Sequence, residues 1–275
     1  MPTSVFRIYQ PDEFRDYLNS TRFSREIRFI QNHHTWSPDY NDMSQTPNEL
    51  FWLDSMRNDH VKVRGWNDIG QNLTTFPNGK IGLCRPIDVT PAGIFGANKY
   101  GICIENLGNF DAGKNKMTEV HKNTIVYLNA VLCLKFNLSP KDPQIVYHHW
   151  FDQSGQRFPE DKINNGQVGP NEQKTCPGAG FFGGNTITSA EANFFPQIKS
   201  KIDELSKAPS PPGLVKIVNA NGGLFVRSGP GTDFPASGKL ALNMQVTVYT
   251  TTENWSKISN TDEKWVSSFY LTNPQ

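Results

Sequence analysis

The strongest constraint on what this chain can fold into is a break in it. Ser206 to Gly213 reads Ser-Lys-Ala-Pro-Ser-Pro-Pro-Gly. Proline fixes φ and lacks an N–H, so no helix or sheet ladder runs through such a run. It acts as a semi-rigid spacer, roughly 25 Å at most if extended as polyproline II. The chain therefore divides into residues 1–205, a linker at 206–213 and residues 214–275. Beyond the linker come short alternating segments (VKIVNA, GGLFVRSG, GKLALN, QVTVYT, WSKIS, KWVSSFYL) separated by Gly, Asn, Pro and Asp. That rhythm predicts a small β-barrel, and about 60 residues are enough to fold alone, though only marginally.

The longer segment mixes types. IRFIQ, Ile27 to Gln31, reads as a buried strand, and YGICIENLG as another. QNLTTFPNGKIGLCR reads as a hairpin, with Asn78-Gly79 supplying the turn. Thr118 to Phe136 places Ile125, Leu128, Leu132 and Phe136 at helical spacing. A last helix is expected from near Pro196, burying Ile198, Ile202 and Leu205. The fold class is α/β: a mixed central sheet flanked by helices, followed by the small all-β barrel.

Lys plus Arg number 27 against 26 Asp plus Glu. A nucleic-acid binder would show a basic excess or stripe, so that class is disfavoured. No apolar run approaches the ~20 residues of a membrane span. MPTSVFRIYQPDEF has no charged n-region followed by an apolar core, so the expectation is synthesis in the cytoplasm without a signal peptide. Cys84, Cys103 and Cys133 each sit among apolar residues and read as small buried hydrophobes. Cys176 differs, lying in the polar, Gly/Pro-rich setting QKTCPGAG.

Of six histidines, four form two adjacent pairs, His33-His34 and His148-His149. Each pair falls at the end of a predicted strand, where a scaffold holds side chains firmly and loops leave room for a ligand. Neighbours on a strand face opposite ways, so one member of each pair can enter a common site. Cys176 follows Lys174, and a cysteine beside a cation or metal ionises readily. Two imidazoles and a thiolate would leave Zn²⁺ one open position, the arrangement of a catalytic site. Glu105 is a carboxylate on an otherwise apolar strand, a costly placement unless it is paired or close to a metal. Lys174 is placed to stabilise a developing oxyanion. Taken singly, each residue also has an ordinary structural reading.

Together, H-H-T after an apolar strand, W-N-D-I-G, a strand carrying I-E, a later His pair and K-T-C-P-G resemble the type 2 N-acetylmuramoyl-L-alanine amidase family, from about Arg28 to about Leu205. The resemblance implies zinc held by His33, His148 and Cys176, with Glu105 and Lys174 catalytic, and bacterial peptidoglycan as partner and substrate. It also implies hydrolysis of the bond between N-acetylmuramic acid and L-alanine. The chain departs from the family in two places. Gln71 follows Asp68-Ile69-Gly70 where family members often have tyrosine, which puts the proton work on Glu105. A long polar stretch from Trp150 towards Cys176 is expected to wall the substrate cleft.

From Leu214 to Leu271 the chain resembles the bacterial SH3-type wall-binding module, with FVRSGPG at Phe225 to Gly231 as its hallmark. Trp255, Trp265, Phe269 and Tyr270 either pack its core, the preferred reading, or form a platform for peptide or glycan. A wall-binding module without an export signal fits a phage or prophage endolysin acting on the wall after release. The alternatives are a cellular autolysin, a stem-peptide endopeptidase on the same scaffold, and a non-catalytic peptidoglycan receptor.

Overall fold

The computed structural model describes residues 5–166, 175–206, 214–259 and 262–274. Two compact units emerge, Met1–Glu204 and Leu205–Gln275. Among the described residues no helix is long and apolar enough to cross a membrane.

The first unit is built on a six-stranded sheet. Its strands are β1 (Arg7–Tyr9), β2 (Phe29–His34), β3 (Leu73–Thr75), β4 (Ile81–Leu83), β5 (Gly101–Asn106) and β6 (Ile145–Tyr147), in the order β1-β4-β3-β5-β2-β6. β3, β5, β2 and β6 run parallel, while β4 pairs antiparallel with both β3 and β1. Parallel strands are normally covered on both faces, and β5 and β2 are buried along nearly their whole length. The β3–β4 turn uses Gly79 at φ +91°, as the Asn-Gly signal requires.

Of the α-helices, α1 (Pro11–Ser20), α2 (Tyr40–Gln45) and α3 (Glu49–Asn58) precede β3. The longest, α4 (Glu119–Phe136), starts where Thr118 caps it, the threonine hydroxyl accepting from the His121 N–H at 3.2 Å. It ends at Asn137, which is left-handed. Ile125, Leu128 and Leu132 are buried as the periodicity predicts, whereas Phe136 is half-buried against Phe23. α4 also buries Asn129, whose amide accepts from Asn32 of β2 at 2.9 Å. This bond decides the sheet's sidedness: Asn32 faces α4, so its neighbours Gln31 and His33 face the opposite side.

α5 (Glu160–Asn164), α6 (Ile187–Asn193) and α7 (Phe195–Ser206) complete the unit. Only Phe195 and Ile198 of α7 are buried; Ile202 and Leu205, expected in the core, are half-buried towards the helix end.

The second unit comprises β7 (Leu214–Val218), β8 (Leu224–Arg227), β9 (Ala236–Leu240), β10 (Gln245–Val248), β11 (Thr250–Thr252), β12 (Trp255–Lys257), β13 (Trp265–Ser267) and β14 (Leu271–Thr272). They form antiparallel sheets ordered β10-β7-β14 and β11-β12-β13-β8-β9. Val218, Ala220, Leu224, Val226 and Val266 make the core, with Leu240, Val246, Ile258 and Leu271 against it. Trp265 is buried and Trp255 half-buried, but Phe269 and Tyr270 are 76% and 50% exposed. The core reading fails for these last two because they lie on a 3₁₀ turn after β13, outside the alternation of a strand.

Candidate metal centre

Register sets the site. On three adjacent parallel strands Thr74, Glu105 and His33 are direct partners, Thr74↔Glu105 and Glu105↔His33. Direct partners share a face and lie one strand spacing apart, about 4.8 Å. Glu105 Oε1 accordingly sits 4.0 Å from His33 Nδ1. His33 is almost fully buried, and the Glu105 side chain is 21% exposed. His148 enters from the first position after β6, where the chain turns into a 3₁₀ segment (His148–Trp150). Its ring centroid lies 4.8 Å from that of His33.

Cys176 comes from far along the chain and is tied in by backbone bonds. The His34 N–H donates to its sulfur at 3.4 Å, and the His149 N–H donates to its carbonyl at 2.7 Å. An N–H aimed at sulfur favours the thiolate over the thiol. One donor atom each from His33, His148 and Cys176 lie within 4.8 Å of one another. The structure thus brings together the first member of each histidine pair. His34 contributes its backbone, and its ring Nδ1 accepts from the Phe110 N–H at 3.1 Å.

A second group with the same spacing, His33, Cys103 and Glu105, shares one residue with the first. Burial, reinforced by Glu105, pushes the Cys103 thiol well above the ordinary range, whereas Cys176 has a backbone N–H aimed at its sulfur. Two imidazoles and the Cys176 thiolate match the nitrogen and sulfur preference of Zn²⁺, so the first group fits the metal and leaves Glu105 as a neighbour.

The backbone of His33 is held too. Its carbonyl accepts from Asn106 Nδ2 at 2.7 Å, and Asn106 Oδ1 accepts from Thr75 Oγ1 at 2.8 Å. Behind Thr75 the buried His121 bridges to Tyr40, with both contacts at 2.8 Å. Burial pulls His121 down to about 3, which keeps this chain neutral.

The group opens into a cleft of about 790 Å³ whose lining includes Trp36, Arg64, Trp66 and His60. His60 stacks on Trp66 at 4.7 Å and accepts the Gly70 N–H at 3.0 Å. Burial lowers it to about 4. Nothing in the sequence singles His60 out: it is a lone histidine without a neighbouring partner. Gln71 is buried and donates to Thr74 Oγ1 at 3.0 Å; it does not line the cleft. The expected cleft wall after Trp150 is not found among residues 151–166. Trp150 Nε1 instead donates to the Asn185 carbonyl, Arg157 pairs with Asp142 at 2.7 Å, and Ile163 is buried. The rest of that stretch, including Lys174, lies outside the described residues.

Fold and site together define an α/β domain with a His-His-Cys centre at the carboxyl ends of its parallel strands, followed by a small β domain. Residues 23–179 match the family model for N-acetylmuramoyl-L-alanine amidase, and residues 222–272 match that for the bacterial SH3 domain. The chain belongs to the N-acetylmuramoyl-L-alanine amidase family. Among solved structures it is similar to wild-type Drosophila PGRP-LB (20% identity, TM-score 0.44, covering 62% of this chain and 84% of that one). It is also similar to the endolysin N-acetylmuramoyl-L-alanine amidase LysCS from Clostridium intestinale URNW (21%, TM-score 0.41, 67% and 90%). A third is the Ph2119 endolysin from Thermus scotoductus MAT2119 bacteriophage Ph2119 (21%, TM-score 0.41, 62% and 87%). No curated protein sequence matches the chain.

Proposed function

We propose that this protein is a zinc-dependent amidase that hydrolyses the bond between N-acetylmuramic acid and L-alanine in bacterial peptidoglycan. The observation carrying this reading is the convergence of His33, His148 and Cys176 donors within 4.8 Å beside the Glu105 carboxylate, at the base of a cleft. When bound, zinc would polarise the scissile carbonyl and acidify a water. The chain's own residues divide the remaining work. Glu105 Oε1, held by strand register, accepts the proton of the attacking water and returns it to the leaving amine. Lys174 neutralises the oxyanion; its support is its position two residues before Cys176. Trp36 and Trp66 give the cleft aromatic walls for the substrate.

In this reading residues 1–205 are the zinc amidase domain, 206–213 the linker and 214–275 the wall-binding domain. Tethering the two raises the local substrate concentration to roughly the millimolar range. The pairing of an amidase with such a module supports a phage or prophage endolysin that is made in the cytoplasm and acts on the wall after release. Digestion of purified walls tests the activity. Free N-terminal L-alanine without new reducing sugar is expected. A different new N-terminal residue would indicate an endopeptidase, and wall binding with no release would indicate a receptor.

A further inference from the structure

We propose that Gln31 is a positioning residue that sets the tautomer of His33, leaving Nδ1 as the nitrogen offered to the metal. The inference rests on the zinc-centre reading above. Gln31 is fully buried on the His33 face of β2, two residues before that ligand. Amide orientations are commonly interchangeable in a structure, but for Gln31 backbone groups remove the ambiguity. Gln31 Oε1 accepts from the Ile94 N–H at 3.1 Å, and Gln31 Nε2 donates to the Ala97 carbonyl at 3.0 Å. An N–H can only donate and a carbonyl can only accept, so the amide has one permissible orientation. The atom it presents to His33 Nε2, at 3.4 Å, is therefore the acceptor Oε1. Nε2 must carry the hydrogen in a neutral imidazole, and the lone pair falls on Nδ1. Nδ1 is the nitrogen 4.0 Å from Glu105 Oε1.

The slot that holds the amide is built by two glycines. A Cβ on Gly93 would meet Gln31 Oε1 at 2.3 Å, and one on Gly101 would meet Gln31 Nε2 at 2.6 Å. Neither glycine has a positive φ, so close approach is what requires them, of the Gln31 amide first and then of Cys103 Sγ at Gly93 and the Phe29 ring at Gly101, both at 2.8 Å. Asn98 closes the slot: its Oδ1 accepts the Gly93 N–H at 3.0 Å. A metal-ligating histidine is commonly oriented by an acceptor for its second N–H, and loss of that partner typically costs 10–100-fold in metal affinity.

Nitrogen-15 NMR of the histidine rings in the full-length, metal-free chain reads the tautomer directly. A single Nε2–H form of His33 is expected in the wild type and a mixture in Gln31→Leu. Competition with a chelator should show zinc bound about 10–100-fold more weakly by the variant. Gly101→Ala keeps Gln31 but displaces its amide, and should show the same mixture if the Leu variant does not fold. An Nδ1–H form in the wild type, or an unchanged tautomer in the folded variants, would overturn the proposal. Failure of the wild type to take up zinc would instead remove the zinc-centre reading, while the metal-free spectra still decide the tautomer.

Discussion

In the proposed mechanism Glu105→Gln separates proton transfer from metal binding, because it removes the carboxylate and leaves the volume almost unchanged. Glu105 sits between Thr74 and His33 in strand register, so the glutamine has no route to a new position without breaking the ladder. Its carboxylate is within 4.0 Å of His33 Nδ1 and its side chain is 21% exposed, so it faces the cleft and is not sealed in the core. A positioned general base contributes about 10²–10⁴-fold to rate. At 1.36 kcal/mol per decade, that is about 3–5 kcal/mol of barrier. Release of L-alanine amino termini from purified walls would measure turnover, with zinc content and melting temperature followed in parallel. The expected result is turnover at least 100-fold lower, stoichiometric zinc and a fold within about 1 kcal/mol of wild type. Turnover within fivefold of wild type would refute the assignment of the base. Loss of zinc along with turnover would make Glu105 a ligand in the His33–Cys103–Glu105 group.

Cys176→Ser exchanges a soft thiolate for a poor zinc ligand, so zinc content should fall well below one per chain; stoichiometric metal after dialysis against a chelator would contradict the ligand set. Thr118→Ala removes the cap of α4 and should cost about 1 kcal/mol, or roughly 2–4 °C in melting temperature, while Thr118→Ser should be nearly neutral. His121 is held near 3 in the fold and is ordinarily near 6.5. The unfolded chain therefore binds a proton that the folded one refuses between those values. Its stabilising contribution is complete above pH 6.5 and is lost as pH falls towards 3, a span worth roughly 5 kcal/mol. Denaturant midpoints should show a shallower acid limb in His121→Gln, and parallel limbs would refute this account.

Much of this was legible before any fold was known, and the parts that were not share a cause. The hairpin at Asn78-Gly79 and the long helix were readable because turn chemistry and periodicity are local. β2 extends to His34, beyond the Gln31 expected from its apolar run. Asn32, His33 and His34 carry no hydrophobic signal, and side-chain bonds from Asn106 and Asn129 make their burial possible. The proximity of Cys176 to His34, 142 residues away, is topological, and no spacing rule yields it. The family motif supplied that pairing; periodicity did not. Phe269 and Tyr270 were misplaced because a 3₁₀ turn looks like a strand to an alternation rule.

The pairing of Glu105 with His33 across the sheet makes the hydrogen-bonded ladder a ruler. Their separation is set by the repeat distance between strands, a constant of the polypeptide, and is insensitive to what the connecting loops contain. Loops at the carboxyl ends of β5 and β6 can lengthen, shorten or change composition, altering what the cleft admits, while the distance between Glu105 and His33 stays the same. A scaffold of this kind separates the inheritance of chemistry from the inheritance of specificity. Variants selected for a different cleft ligand should therefore carry their changes in the loops and leave the ladder untouched.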